Sequence, residues 1–154
     1  SIIDYLKKVM DETFFLRMYS DEVNFTVLEE EMFINSMNTQ NNSHLLIAKD
    51  GDKIVGIGSI QGQQLKKFRH CGEFGVSVLK DYWRKGIGKE LTYRLILWAK
   101  ENPVLKKINL HVNIENKVAI EIYSNIGFRQ EGLLSKDFYY CNRFVDTLIM
   151  GIDV

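Results

Sequence analysis

The chain has 154 residues, with Lys plus Arg and Asp plus Glu at 20 each and a formal charge of zero. That length suffices for one domain with a real core, and the even charge argues against a nucleic-acid partner, whose phosphates require a basic excess or stripe. A hydrophobic fraction of 45% and an aromatic fraction of 12% belong to a folded globular protein, not a disordered segment. No apolar run approaches the ~20 residues of a membrane span. Ser1 to Lys8 also lacks the basic start and long apolar stretch of a secretion signal, so a cytoplasmic protein with no membrane partner is expected. Cys71 and Cys141 lie in strand-like apolar surroundings and are read as reduced, core or near-core thiols. His44, His70 and His111 stand far apart, and no metal is expected.

In chain order, Ile2, Ile3, Leu6, Val9 and Met10 recur at helical spacing, predicting a first helix over residues 2–10. Asp11 to Leu16 breaks that period and reads as a loop dropping Phe14 and Phe15 onto the core. A second helix starts at a Thr26 or Asn24 cap, with Leu28, Met32, Phe33 and Met37 along one side. Glu29, Glu30 and Glu31 in its first turn read as a solvated start favoured by the helix dipole. Residues 44–49 and 53–60 form a hairpin across Asp50-Gly51-Asp52. Gly56 and Gly58 leave one face of its second strand bare, open to a backbone, a ligand or a packed helix. A third strand covers 71–78. The next helix begins at Ile87, carries Leu91, Leu95 and Trp98 at helical spacing, and ends before Pro103. A strand at 107–112 follows, then a helix capped by Asn116 and closed by Gly127, then strands at 128–134 and 144–152. This order packs as mixed α/β around one central sheet, a single domain over 1–154.

The chemistry concentrates in Val76 to Leu91, where a strand enters a helix through Gly86 and Gly88. The first turn of a helix has unpaired N–H donors and a partial positive charge. Residues without Cβ let a phosphate come close to them, and Lys85 and Lys89 bracket the turn with charge. Taken alone, Gly-x-Gly is equally a plain tight turn.

The neighbouring motifs favour the anion cradle. Trp83-Arg84-Lys85-Gly86-Ile87-Gly88 fits Arg/Gln-x-x-Gly-x-Gly/Ala at every position but the first. Asn116, Ala119, Tyr123, Gly127 and Phe128 complete Asn-x-x-Ala-x-x-x-Tyr-x-x-x-Gly-Phe. In spacing and separation the pair resembles the GNAT superfamily of acyl-CoA-dependent N-acetyltransferases, over at least residues 44–152. The resemblance implies an α/β fold with a single mixed, mostly antiparallel sheet of about six to seven strands and about four flanking helices. The strand with which relatives open is missing from this chain. Acetyl-CoA is the implied co-substrate, without a metal; an amine is the implied acceptor, and a homodimer is compatible.

By that resemblance the coenzyme A pyrophosphate falls to Arg84, Lys85, Gly86, Ile87, Gly88 and Lys89. The pantetheine arm falls to main-chain groups of the strand at 74–78, chiefly Val76 and Val78, and to Asn116. Tyr123 takes the role of general acid for the departing thiolate; without the motif it would read as a core aromatic near Ala119 and Ile126. Glu73 is the candidate base for the acceptor ammonium. Alternation puts Glu73 opposite Phe74, Val76 and Val78, where a solvated or structural role competes, and a water relay would need no single base. Glu12, Tyr139, Tyr140 and Asp146 are further candidates for acceptor contacts. Trp83, at the position where relatives carry Arg or Gln, removes one side-chain contact but spares the N–H cradle, with Arg84 beside it to compensate.

The implied function is transfer of acetyl from acetyl-CoA to a primary amine of a small molecule or a peptide or protein N-terminus, by direct attack in a ternary complex. Asp137 to Met150 resembles the ending of relatives that acetylate ribosomal-protein N-termini, polyamines or amino-acid-like herbicides. The alternative is a non-catalytic acyl-CoA-binding or sensing module, against which Tyr123 counts. A nucleotide-binding domain of another kind would need a Gly-x-x-x-x-Gly-Lys-Ser/Thr loop or an acidic ribose ligand, and neither is in place.

Overall fold

Helix α1 (Ile2–Glu12) forms because Ile2, Tyr5 and Val9 bury along one side while Ser1 and Asp4 cap its start reciprocally. The computed structural model describes residues 1–154, so the loop after α1 and the short 3-10 turn Ser20–Glu22 are also defined. Helix α2 (Val27–Thr39) opens on a capping box between Thr26 and Glu29. Its apolar side is mostly uncovered. Met37 alone is buried, whereas Leu28 is 65% exposed and Met32 62%. The helix leans on α1 and on the edge strand of the sheet, so only a narrow line of it is covered. Glu30 is not simply solvated either: its Oε1 accepts the Ile2 N–H at 2.6 Å, capping α1 from α2.

The strands β1 (His44–Asp50), β2 (Lys53–Gly62), β3 (Cys71–Val78), β4 (Lys107–Asn113), β5 (Arg129–Tyr140) and β6 (Arg143–Asp153) make one sheet, ordered β1-β2-β3-β4-β6-β5. All neighbours are antiparallel except β3 and β4. With α3 (Ile87–Glu101) and α4 (Lys117–Ile126), this is the expected class: six strands, four α-helices, mixed and mostly antiparallel. No helix is long and apolar enough to cross a membrane.

Helices α3 and α4 cover one face and α1 the other. On the first face Leu95, Ile96 and Ala99 pack with Ile60, Phe74, Ile108, Leu110 and Met150 into the main core. The bare face of β2 is filled by helix: a Cβ at Gly58 would stand 2.9 Å from Leu95 Cδ1, and one at Gly56 3.2 Å from Ile87 Cγ2. On the second face Tyr5 and Val9 pack over Leu79, and the Tyr5 hydroxyl and Ser77 Oγ share a hydrogen bond of 2.9 Å.

Strand β5 runs six residues past its expected end at Leu134, to Tyr140. An irregularity between Leu134 and Phe138, with Lys136 at φ +53°, resets the register and lets pairing continue. Cys141 is exposed, contrary to the core reading. It and Asn142 form the two-residue turn of the β5–β6 hairpin, at φ +48° and +58°, and a turn at the tip of a hairpin projects beyond the packed sheet. Cys71 is half-buried at the start of β3, and both thiols are free.

Candidate active site

Strands β3 and β4 pair only through Cys71–Lys107, Gly72–Ile108 and Glu73–Asn109. Beyond that point β3 stays with β2 as far as Val78, and β4 stays with β6 as far as Asn113. The two strands therefore part from Phe74 and Leu110 onward. Leu79 N–H donates to Val55 O and Gln63 N–H to Cys71 O, both at 3.0 Å, which fixes the odd-numbered residues of β3 as those bonded to β2. Bonded and non-bonded pairs alternate along an antiparallel ladder, so the main-chain groups of Val76 and Val78 face the gap. Trp83 takes part of that edge for itself, its Nε1 donating to Val78 O at 2.7 Å. Val76 keeps both its groups toward the gap. The tryptophan thus does more than delete a contact: it closes one end of the parting.

After Val78 the chain turns through Lys80–Tyr82 and enters α3 with Arg84 at φ +62° and Gly86 at φ +82°. Such left-handed residues curl successive N–H groups toward one point. Gly86 offers no side-chain cap, and the first helical bond runs from Glu90 N–H to Gly86 O. The N–H groups of Ile87, Gly88 and Lys89 are left without helical partners. A Cβ at Gly88 would meet nothing closer than Val78 Cγ2 at 3.6 Å. Neither packing nor a positive φ demands glycine there; open space above the helix start is what it provides. Lys85 Nζ lies 4.6 Å from the Tyr82 ring centroid, which holds its charge beside the turn. A groove of about 440 Å³ between α3 and α4 begins at Lys89.

On the α3–α4 face, Tyr123 is 8% exposed, edge-on to Phe74 at 5.7 Å and tilted against Phe128 at 5.8 Å. Phe74 is the first β3 residue past the parting. Burial pushes the Tyr123 phenol well above the ordinary tyrosine range, so it is neutral and carries its proton at any physiological pH. Asn116 caps α4, its Oδ1 accepting the Ala119 N–H at 3.3 Å.

On the opposite face, Glu73 projects from the last paired position of β3, on the side alternation assigns it. His111, two residues beyond Asn109 on β4, shares that side. His111 Nδ1 and Glu73 Oε1 are 2.6 Å apart, with side chains 34% and 43% exposed. Farther along, Thr147 stands beside Asn113, its hydroxyl donating to Asp137 Oδ2 at 2.7 Å, and Arg17 Nη1 lies 2.9 Å from the same oxygen. Tyr140 stacks with Phe14 at 5.2 Å and with Tyr19 at 6.3 Å, tying the loop after α1 to β5.

The sequence candidates thus divide. Tyr140 and Glu73 reach the α1 face. Tyr139 points the other way, its hydroxyl donating to Asn142 at 3.1 Å, and Asp146 accepts the Lys136 N–H at 2.8 Å. Glu12 accepts the Lys80 N–H at 2.6 Å and so braces the turn before the cradle. His111, Arg17, Asp137 and Thr147 escaped sequence reasoning, because each finds its partner far along the chain, His111 and Thr147 across strands and Arg17 from the loop after α1.

A family model described as the Acetyltransferase (GNAT) family matches residues 7–128. The chain belongs to this GNAT family. It is an acetyl-CoA-dependent N-acetyltransferase. The spermidine N(1)-acetyltransferase of Vibrio cholerae serotype O1 is 28% identical over 124 residues, covering 80% of this GNAT chain and 71% of the relative. The L-amino acid N-acetyltransferase AaaT of Escherichia coli K12 is 29% identical over 107 residues, covering 70% of this chain and 65% of the relative. A solved GNAT-family acetyltransferase from Streptococcus pneumoniae superposes with a TM-score of 0.95 at 31% identity, over 99% of this chain and 92% of that one. The yncA acetyltransferase of Salmonella typhimurium, solved with acetyl-CoA, shares the fold at a TM-score of 0.82 and 16% identity, over 99% and 86% of the two chains.

Proposed function

We propose that this single domain transfers acetyl from acetyl-CoA to the primary amine of an amino-acid-like molecule or peptide N-terminus, by direct attack with both substrates bound. The observation that carries this reading is the parting of β3 from β4, with the capless start of α3 at its mouth. When bound, acetyl-CoA supplies the acyl group as a thioester. The N–H groups of Ile87, Gly88 and Lys89, with Arg84, Lys85 and Lys89 around them, suit a pyrophosphate. The free main-chain groups of Val76 suit the amides of a pantetheine arm, which would pair as a further strand does. Asn116, at the start of α4, stands ready beside that arm, and the groove from Lys89 takes the remainder of the nucleotide. Tyr123 holds a proton in position for the leaving sulfur.

The acceptor belongs on the α1 face, beneath Phe14, Tyr19 and Tyr140. There Glu73 is matched by His111 and Asp137 by Arg17, so no row of unmatched carboxylates remains for the extra ammonium groups of a polyamine. A monoamine with an apolar or aromatic portion fits better. The test is a screen of amino acids, short peptides, polyamines and aminoglycosides for amine-dependent release of coenzyme A. Turnover is expected with amino acids or peptides ahead of spermidine; silence across the whole panel would sink the reading.

Gly88→Ala separates cradle from scaffold. The added Cβ has room within the protein and improves a helical position by about 0.5–1 kcal/mol, yet it intrudes where a phosphate would sit. The variant should therefore melt higher than wild type and bind acetyl-CoA more weakly, as read by thermal denaturation and calorimetric titration.

A further inference from the structure

On the far side of the sheet from Tyr123, where β3 and β4 separate, two ionisable side chains meet. Glu73 is the last residue of β3 still paired with β4, and His111 is the next residue on the same face of β4. The parallel register makes them diagonal neighbours, and their contact of 2.6 Å spans the root of the fork. Both are about one-third exposed or more, so a ligand can reach them. Half-exposed ion pairs contribute little to stability, which leaves room for a role beyond holding the strands together.

The contact also has a direction. A carboxylate accepts and cannot donate, so in the neutral imidazole the proton sits on Nδ1, facing Glu73. The lone pair is then on Nε2, at the ring edge away from Glu73. We infer that His111 is the group that takes the proton from the acceptor ammonium through Nε2, with Glu73 as the positioning residue that fixes its tautomer and steadies the imidazolium. This rests on the acetyltransfer reading above and names the base within it, moving that role from Glu73 to its partner.

His111 Nε2 removes one proton from the ammonium and passes it to solvent. The freed amine nitrogen bonds to the carbonyl carbon and the carbon–sulfur bond breaks. That nitrogen sheds a second proton as the amide forms, and the sulfur gains one from the Tyr123 phenol, which is refilled from solvent. The net product is one amide, one thiol and one released proton. Around His111 the sheet presents no competing charge: Ile149 is its partner on β6, and Asn109 and Asn113 flank it along β4. Of the cationic groups on this face, Lys107 is held by Glu131 and Asp153, and Arg17 by Asp137. From β3 Glu73 meets the ring and the free thiol of Cys71 shares its face two residues earlier; from α1 the Tyr5 hydroxyl is bonded to Ser77 and Glu12 is engaged by Lys80 N–H.

The experiment compares wild type, His111→Gln, His111→Ala and Glu73→Gln, using the best amine from the acceptor screen. Wild type must first release coenzyme A with that amine; if it does so with none, the acetyltransfer reading falls and this inference with it. Given turnover, His111→Gln should lose about 10²-fold or more in kcat at neutral pH while binding acetyl-CoA as wild type does. The deficit should shrink as pH rises, because neutral amine then arrives without help. It should also be smaller for a peptide α-amine, whose pKa is about 7.7–8.0, than for a lysine-like amine near 10.4. Exogenous imidazole should restore part of the His111→Ala activity. Apart from activity, long-range proton–nitrogen NMR of the free protein should find the Nδ1–H tautomer in wild type and a mixed ring in Glu73→Gln. A loss independent of pH and of amine basicity, or an Nε2–H tautomer in wild type, overturns the assignment and leaves the pair a strut.

Discussion

Tyr123→Phe is expected to lower kcat by about 10²- to 10⁴-fold while leaving acetyl-CoA affinity unchanged. The substitution removes one oxygen and keeps the ring, so the edge-on contact with Phe74 and the tilted contact with Phe128 survive. The fold should be as stable as wild type, and a coincident melting curve would rule out a packing explanation. Burial raises the phenol above the ordinary tyrosine range, so its proton is in place at physiological pH. The measurement is a pair of titrations: initial rates at saturating acetyl-CoA, and heat of binding for the cofactor alone. Turnover equal to wild type would hand the proton to water and reduce Tyr123 to a core aromatic.

The largest stability effect is expected at Leu95. This side chain is fully buried against the glycine face of β2, at the centre of the main core. Leu95→Ala should cost about 2–5 kcal/mol, as deletions from closed cores do. Gly58→Ala places its Cβ 2.9 Å from Leu95 Cδ1, a crowding that the flexible end of the leucine only partly relieves, and should be mildly destabilising alone. In the double variant the new methyl enters space the leucine has left. The combined cost should fall below the sum of the single costs, a coupling that a double-mutant cycle by chemical denaturation resolves. Strict additivity would show that helix and strand are not in the close register described.

Much of the candidate site's geometry was legible from spacing. Gly86, Gly88, Asn116, Tyr123 and Gly127 are local: each lies within a few residues of a helix end, and a linear motif encodes that. The side of β3 on which Glu73 lies was legible too, because alternation is a property of one strand. What the chain order hides is lateral register. The His111–Glu73 contact joins residues 38 positions apart and depends on Glu73 lying opposite Asn109, which no period in either strand reveals. The Asp137–Thr147 bond needs the irregularity at Lys136, which carries β5 past its expected end. Trp83 looked like a lost contact because its use is to reach back to a main-chain oxygen, Val78 O, and side-chain identity alone does not announce that. Helix α2 misled for the opposite reason: its apolar spacing is genuine, but the sheet ends at β1 and offers it no surface to lie on.

The parting of β3 and β4 has a consequence for traffic. The donor anchor proposed above, from Arg84 to Lys89, and Tyr123 belong to the side of α3 and α4, while Glu73, His111 and the aromatic loop belong to the side of α1. Two substrates bound as proposed would meet in the middle of the sheet from opposite faces, neither standing in the other's exit. On the proposed binding mode, initial-rate kinetics should therefore show random addition of the two substrates, with coenzyme A able to leave before the acetylated amine.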